Sequence, residues 1–124
     1  MDEWIVDGNN VMGARPDGWW RDRAGAQRRL VERLERFADA RDAPVTVIFD
    51  GQPHDAGGGL RVGVQFARRG GPDAADDDVA AMVASHPDPE SVIVATSDAN
   101  LAERVRSSGA RVMGAGAFLR ELDG

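Results

Sequence analysis

The apolar residues fall into two patterns that alternate along the chain. Short continuous runs rich in Val and Ile, ended by polar residues or Gly, predict strands; they cover Trp4–Val6, Val45–Phe49, Arg61–Phe66, Ser91–Ala95 and Arg111–Met113. Apolar positions at helical spacing predict helices; they cover Arg23–Ala40, Ala75–Ser85, Ala99–Ser108 and Ala115–Leu122. Strands that alternate with helices predict an α/β fold with a mainly parallel sheet. Since no repeat or linker interrupts the series, we expect a single domain over residues 1–124.

Polar segments separate these elements. The run Gly8–Asn10 predicts a turn after the first strand, Gly13–Gly18 predicts a loop, and the Gly-rich residues 51–60 predict another. Asp22 suits the N-cap of the helix that follows it. We expect one of the aspartates near its start to cap the helix at 75–85 in the same way.

Composition excludes several classes of protein. The chain has 124 residues, no Cys and two His, which excludes disulfides, thiolate zinc sites and thiol catalysis. It also lacks Lys, which excludes Walker-A nucleotide sites and Schiff-base chemistry and argues against receiver-type phosphoacceptor domains. No signal peptide is present and no apolar run reaches the roughly 18 residues that a membrane span needs. We therefore expect a cytoplasmic protein with no membrane partner.

Charge is distributed unevenly, although the net value is only −6. Residues 15–41 carry eight of the fifteen arginines against five acids, and residues 73–78 carry four Asp and no base. A basic surface beside an acidic pocket suits an enzyme that binds a polyanion through Arg and cuts it with a metal ion. Solvent-exposed helix faces would produce the same pattern.

Asp7 and Asp50 directly follow predicted strands, and Asp98 closes the run Thr96-Ser97-Asp98 that ends the fourth strand. The triplet Asp76–Asp78 lies where a helix starts. The carboxyl ends of parallel strands share one edge of the sheet, so these acids should converge there. Carboxylates suit Mg²⁺ or Mn²⁺, and such a site suits phosphodiester hydrolysis. Each Asp alone could be a turn or cap residue, and Asp50 before Gly51 fits a turn best. Repulsion within the triplet predicts that one member titrates above an ordinary Asp when no cation is bound.

Four motifs occur in order: Asp7-Gly8-Asn9-Asn10-Val11, Val47-Ile48-Phe49-Asp50-Gly51, Ala75-Asp76-Asp77-Asp78-Val79 and Thr96-Ser97-Asp98. Together with the C-terminal stretches Gly109–Val112 and Phe118–Leu122, they resemble the NYN group of the PIN-like nucleases, most closely its YacP-like branch. The resemblance covers nearly the whole chain.

The resemblance implies a PIN-like three-layer sandwich, with a sheet of about five strands ordered 3-2-1-4-5 and helices on both faces. It also implies metal-dependent endoribonuclease activity with Mg²⁺ or Mn²⁺. By position it assigns metal binding and catalysis to Asp7, Asp76 and Asp98. Asp77 matches the second acid of the pair that begins the family's helix, and it is a further candidate catalytic residue. The polar residues that it places beside the site, as candidate substrate contacts, are Thr96, Ser97 and Asn10. One position departs from the branch: Ala80 stands where a Glu is common, and the loss of that carboxylate would weaken metal binding or alter substrate choice.

Arginines and tryptophans supply the candidate RNA contacts. Arg21 and Arg23 adjoin Trp19-Trp20, and Arg68 and Arg69 precede the acidic triplet. Proteins bind single-stranded RNA through cationic side chains and aromatic rings. Packing in the core or against the start of the helix would account equally well for the two tryptophans. Ion pairs with the neighbouring aspartates would account equally well for Arg68 and Arg69.

The expected partner is RNA: messenger, transfer or ribosome-associated. A homodimer and an antitoxin partner are compatible with the sequence, which identifies neither. Two other functions stay open: an RNA-binding or ribosome-associated module with weakened catalysis, favoured by Ala80, and a phosphohydrolase acting on nucleotides.

Overall fold

A parallel five-stranded sheet forms the centre of the molecule. The computed structural model describes residues 2–68, 70–71 and 73–123. The strands are β1 (Glu3–Asp7), β2 (Val45–Phe49), β3 (Val62–Phe66), β4 (Val92–Ala95) and β5 (Arg111–Met113). The helices are α1 (Gly8–Gly13), α2 (Arg23–Arg41), α3 (Ala74–Ala84), α4 (Ala99–Ser107) and α5 (Ala115–Asp123), with 3₁₀ turns at Trp19–Arg21 and Pro89–Ser91. The strand order β3-β2-β1-β4-β5, parallel throughout, confirms the predicted α/β sheet.

Helices cover both faces of the sheet, which explains why its strands are continuous apolar runs. Side chains alternate along β1: Trp4 and Val6 lie in the core with α2 and α5, and Ile5 lies in the core with α3 and α4. On the first face, the rings of Trp4, Phe37 and Phe118 pack with centroids 5.0–5.5 Å apart. Such aromatic pairs contribute about 0.5–1.5 kcal/mol each beyond their buried area. Within the described ranges, no helix combines the length and apolarity needed to cross a membrane.

The strand register brings the polar strand ends together. Strand β1 lies between β2 and β4, with Asp7 opposite Ile48 and Val6 opposite Ala95. The connections that follow β1 lead to one side of it, through β2 and β3, and the chain then crosses to β4 on its other side. This reversal of strand order is where α/β sheets open a crevice for ligands.

The predicted turn at Gly8–Asn10 is wrong, because these residues begin helix α1. Val11 and Met12 in this helix are buried, and their burial stabilises a helix too short to show a repeating pattern. Gly8 permits the close approach: a Cβ there would lie 2.4 Å from Cδ1 of Phe49. Helix α1 therefore starts directly at the end of β1 and packs on the end of β2.

Candidate metal site at the carboxyl edge of the sheet

Asp7, the last residue of β1, is buried, with only 4% of its surface exposed. The hydroxyl of Thr96 donates a hydrogen bond to Oδ2 of Asp7 over 2.8 Å, and it accepts one from the backbone N–H of Asp98 over 3.1 Å. Burial raises the pKa of Asp7 to about 6; the Thr96 bond lowers it in part, and the charges of Asp50 and Asp98 raise it further. Thr96 thus links the ends of β1 and β4.

Asp98 is the N-cap of α4, and this role fixes its orientation. Its Oδ1 accepts hydrogen bonds from the backbone N–H groups of Asn100, at 2.9 Å, and Leu101, at 3.2 Å. Aspartate is among the best N-cap residues because its carboxylate satisfies N–H groups that the first helical turn leaves without partners. The carboxyl group of Asp98 also shares a hydrogen bond with that of Asp76.

Helix α3 carries the remaining acids of the site. Asp73 precedes it with a left-handed backbone, φ +61°, a conformation that Asp tolerates better than most residues. Carboxylate oxygens of Asp73, Asp76 and Asp98 lie within 4.8 Å of one another. Burial raises the pKa of Asp76 to about 7, with further contributions from the charges of Asp7 and Asp98, the bond to Asp98 and the charge of Asp73.

The donor set fits a hard divalent cation. Mg²⁺ binds oxygen ligands at about 2.0–2.1 Å, and carboxylates are its usual protein ligands. The oxygens of Asp73, Asp76 and Asp98 lie within 4.8 Å of one another, close to the roughly 4.2 Å that separates two ligands on opposite sides of such an ion. Asp7 is not in this converging group, although its charge acts on Asp76.

The start of α3 is capped from outside the triplet. Oδ1 of Asp50 accepts the backbone N–H of Ala75 over 2.9 Å, and the N–H of Asp50 donates to Oδ1 of Asn9 over 3.0 Å. An aspartate, Asp73, holds the N-cap position as expected, but its side chain makes no cap hydrogen bond, and Asp76, Asp77 and Asp78 all lie inside the helix. Asp50 is not merely a turn residue, because it joins the end of β2 to the first turn of α3.

The three members of the triplet have different partners, because successive helical residues point about 100° apart. Asp76 faces the site, whereas Asp77 pairs with Arg104 of α4 at 3.1 Å. Asp78 accepts the backbone N–H of Arg68 over 3.0 Å and faces its guanidinium at 3.4 Å. Ala80 packs against the apolar core under α3 and α4.

Asn10 and Ser97 hold the backbone beside the acids. Oδ1 of Asn10 accepts the N–H of Ser97 over 2.8 Å, and the Ser97 hydroxyl accepts the N–H of Ala115, at the start of α5, over 2.7 Å. Both side chains thus fix the segment between β4 and α4, next to Asp98.

The predicted RNA contacts lie on two sides of the acids. Arg21 stacks on Trp20 at 5.9 Å, and Arg23 stacks on Trp19 at 5.3 Å. Trp19 packs against the core, whereas Trp20 is 55% exposed. The Arg68 side chain is exposed apart from its contact with Asp78, and Arg69 lies outside the described residues.

Asp73 was not among the residues predicted for the site. Its only signal in the sequence is its position three residues before Asp76, which on a helix puts two side chains on one face. The backbone turn that aims its carboxylate at Asp98 has no signature in the sequence.

Comparison with known proteins gives a consistent result. The family model for the YacP-like NYN domain matches residues 4–124. The crystal structure of Rae1 (YacP) from Bacillus subtilis is similar, with a TM-score of 0.81 and 25% identity over 99% of this chain and 74% of that chain. A mutant of the same protein, with a Trp replaced by Leu, gives a TM-score of 0.81 and 26% identity over 99% of this chain and 76% of that chain. No curated protein shows a significant match.

The family match spans nearly the whole chain. The chain belongs to the YacP-like NYN domain family.

Proposed function

We propose that the protein is a Mg²⁺- or Mn²⁺-dependent endoribonuclease that hydrolyses RNA phosphodiesters at the acidic site. The observation that supports this most directly is the convergence of Asp73, Asp76 and Asp98 within 4.8 Å, at the reversal of strand order. Membership of the NYN family, which is nuclease-like, supports the same reaction class.

Each acid has a distinct part in this proposal. Asp73, Asp76 and Asp98 hold the cation, and Asp98 is aimed by its cap bonds to α4. Asp7 adds negative charge from the sheet side, where Thr96 fixes its carboxylate. A bound Mg²⁺ or Mn²⁺ would neutralise charge on the phosphoryl oxygens and favour in-line attack by water. One of the carboxylates accepts the proton of that water.

In this proposal Asp77 positions helix α3 and does not act as a second catalytic acid. Its carboxylate pairs with Arg104 on the neighbouring helix. We infer that this ion pair helps to fix the position of α3 relative to α4, and so the position of Asp76 in the site.

A polymeric substrate is supported by the surface beside the acids. Arg21 and Arg23, together with the exposed ring of Trp20, combine cationic and stacking groups at the start of α2. RNA is therefore the substrate class that we propose.

Ala80 favours one second candidate, an RNA-binding module with weakened catalysis. The residue packs on apolar side chains and offers no carboxylate near the cation. RNA binding that is unaffected by chelator, without cleavage in any divalent ion, would support this candidate over the nuclease.

The test is incubation with a mixed RNA pool in Mg²⁺, Mn²⁺ or chelator. We expect metal-dependent cleavage by the wild type and a loss of at least about 100-fold in Asp76→Asn and Asp98→Asn, since removal of a key electrostatic group costs on that order. Asn also caps helices well, so Asp98→Asn should keep its fold. Asp78→Asn is the matched control on the same helix, because its partner is Arg68, and it should keep activity within a few-fold.

Full activity in both Asp76→Asn and Asp98→Asn would refute the proposal. Release of phosphate or pyrophosphate from nucleotides, with the RNA pool intact, would instead identify a phosphohydrolase.

A further inference from the structure

An open cavity of about 430 Å³ lies beside the acidic site, between the start of α2 and the segment that follows β2. Its lining includes Asn9, Arg23, Gln27, Asp50 and His54. Its volume is within the range of about 300–1,000 Å³ that is typical of small-ligand clefts. The roles assigned to the acidic residues make no use of this cavity.

Asp50 and Asn9 form the wall that the cavity shares with the acidic site. The Asp50 backbone is bonded to Asn9, and its carboxylate is bonded to the N–H of Ala75. Ala75 immediately precedes Asp76, and the charge of Asp50 acts on Asp7. A group bound in the cavity is therefore a direct neighbour of a phosphate bound at the acids.

The cavity contains a polar pair, Gln27 of α2 and His54 of the segment after β2. Gln27 is only 5% exposed, and among the described residues the other buried polar side chains, Asp7 and Thr96, belong to the acidic site. Nε2 of His54 is hydrogen-bonded to Oε1 of Gln27, and the His54 ring packs edge-on against Phe66 at 5.3 Å. Nδ1 of His54 has no hydrogen-bond partner in the part of the chain that the structure describes.

This pair offers one donor and one acceptor. A neutral His54 that donates through Nε2 leaves Nδ1 as an acceptor, and the Gln27 amide group supplies N–H donors. The edges of nucleobases carry adjacent donors and acceptors of this kind. His54 lines the cavity, and its Nδ1 is a buried acceptor without a partner among the described residues.

Arg23 provides the flat surface of the cavity. Its guanidinium is held over the ring of Trp19 at 5.3 Å, and Trp20 stands exposed beside it. Proteins that recognise single-stranded RNA stack unpaired bases on aromatic rings or Arg planes and read their edges by hydrogen bonds. Both features are present here within one cavity.

We propose that this cavity binds one unstacked base of single-stranded RNA, adjacent to the phosphodiester at the acidic site. The placement of the RNA, with its phosphodiester at the acidic site, rests on the proposed nuclease function. Binding of the base does not require cleavage. The proposal identifies Gln27 and His54 as specificity-determining residues and Arg23 as the stacking residue.

Binding is measured in chelator by fluorescence anisotropy, using short single-stranded RNAs that differ at one base. Cleavage of the same RNAs is then followed in Mn²⁺. The wild type should distinguish the four bases by about tenfold, the effect of roughly one hydrogen bond. Gln27→Met and His54→Phe, each close in size to the residue replaced, should reduce the difference to about twofold.

Gln65→Met is the matched control, because Gln65 is exposed on the edge strand β3, away from the cavity. It should keep the full base preference. Thermal melting checks that each variant is folded, and either of the two cavity variants is sufficient for the test. The four nucleoside monophosphates, assayed in the same way, should bind more weakly than the RNAs.

Binding that is indifferent to the base, or a preference that survives both cavity substitutions, would overturn the base-binding site and leave the nuclease proposal standing. Tighter binding of a monophosphate than of any RNA would also overturn it. Base-dependent RNA binding that Gln27→Met removes, with no cleavage in any metal, would support the site and overturn the nuclease.

Discussion

Replacing Asp7 with Asn tests separately what the buried charge does to the stability of the fold and what it does to RNA cleavage. Asn has nearly the shape of Asp, and its side-chain oxygen can still accept the Thr96 hydroxyl. The substitution therefore removes a buried charge with little change in packing. We expect Asp7→Asn to be more stable than the wild type at pH 7.5 in chelator, and inactive on RNA.

The magnitude follows from the pKa of the buried carboxyl group. Folding raises this pKa from 3.8 to about 6, and each pKa unit corresponds to about 1.4 kcal/mol. Ionised Asp7 therefore costs the folded state about 3 kcal/mol. The added amide N–H₂ group needs its own partners, so the expected gain is about 1–3 kcal/mol.

The sign of the pH dependence follows from the same two pKa values. Below about pH 4 the group is protonated in both states, and its ionisation costs nothing. Between about pH 4 and pH 6 the unfolded chain ionises first, so the wild type loses stability as pH rises. The advantage of Asp7→Asn should therefore be under about 1 kcal/mol at pH 4 and complete above pH 7.

Urea denaturation in chelator at pH 4 and pH 7.5 measures both values. Asp88→Asn, at an exposed aspartate before the start of β4, whereas Asp98 follows the end of that strand, is the control and should show no gain at pH 7.5. Equal or lower stability of Asp7→Asn at pH 7.5 would show that burial does not oppose ionisation of this carboxyl group.

Three further predictions concern the cation, the start of α1 and the ion pair between α3 and α4. Mg²⁺ or Mn²⁺ at about 100 times its dissociation constant should raise the free energy of unfolding by about 2.7 kcal/mol in thermal melts, and Asp73→Asn should lose most of this gain. Gly8→Ala should lower that free energy in urea by about 1–3 kcal/mol, because its Cβ would lie 2.4 Å from the Phe49 ring. Arg104→Ala should change stability by less than about 1 kcal/mol, because it and Asp77 are 43% and 45% exposed, and cleavage should fall by no more than a few-fold.

The first two of these predictions each have a control nearby in the chain. Asp78→Asn should keep the cation effect that Asp73→Asn loses. Gly13→Ala, also in α1, should be nearly neutral, because its Cβ would lie 3.7 Å from Trp19, an ordinary contact. A full increase in stability on adding the cation to Asp73→Asn would contradict the role of Asp73 as a ligand. Unchanged stability in Gly8→Ala would contradict the close contact with Phe49. A loss of several kcal/mol in Arg104→Ala would contradict the weak contribution expected of its exposed ion pair with Asp77.

The sheet could be predicted from the sequence because its strands are buried on both faces. Such burial requires unbroken apolar runs, as in Val45–Phe49, and these runs are visible without any knowledge of the fold. Helix α1 could not be predicted in this way. It has six residues, Gly8 and two asparagines open it, and only the packing of Val11 and Met12 makes it helical.

The acidic site was partly predictable for a related reason. Strand ends converge in any parallel sheet, so Asp7 and Asp98 could be placed at one edge from the pattern alone. The inclusion of Asp73 depends on a left-handed backbone, and the separation of Asp77 from the site depends on the rotation of α3. Neither is encoded in residue spacing.

The prediction that one member of the triplet titrates above an ordinary Asp is confirmed for Asp76, but its cause is different. Repulsion between sequence neighbours was expected to raise the pKa. Burial comes first instead, followed by the charges of Asp7 and Asp98. Residues distant in the sequence therefore determine this titration, and they become neighbours only through the fold.

The connection between β2 and β3 contains the Gly-rich residues 51–60, and the hydrogen bond from the Ala75 backbone to Asp50 fixes the start of α3 at the end of β2 independently of that connection. The entropic cost of closing a loop grows slowly, by about 0.6 kcal/mol for each doubling of its length. Insertions in the Gly-rich residues 51–60 would therefore be absorbed inside the loop and would not displace Asp76. Because the same segment supplies His54 to the cavity, grafted loops here could change which RNA is recognised while the geometry of the acids stays the same.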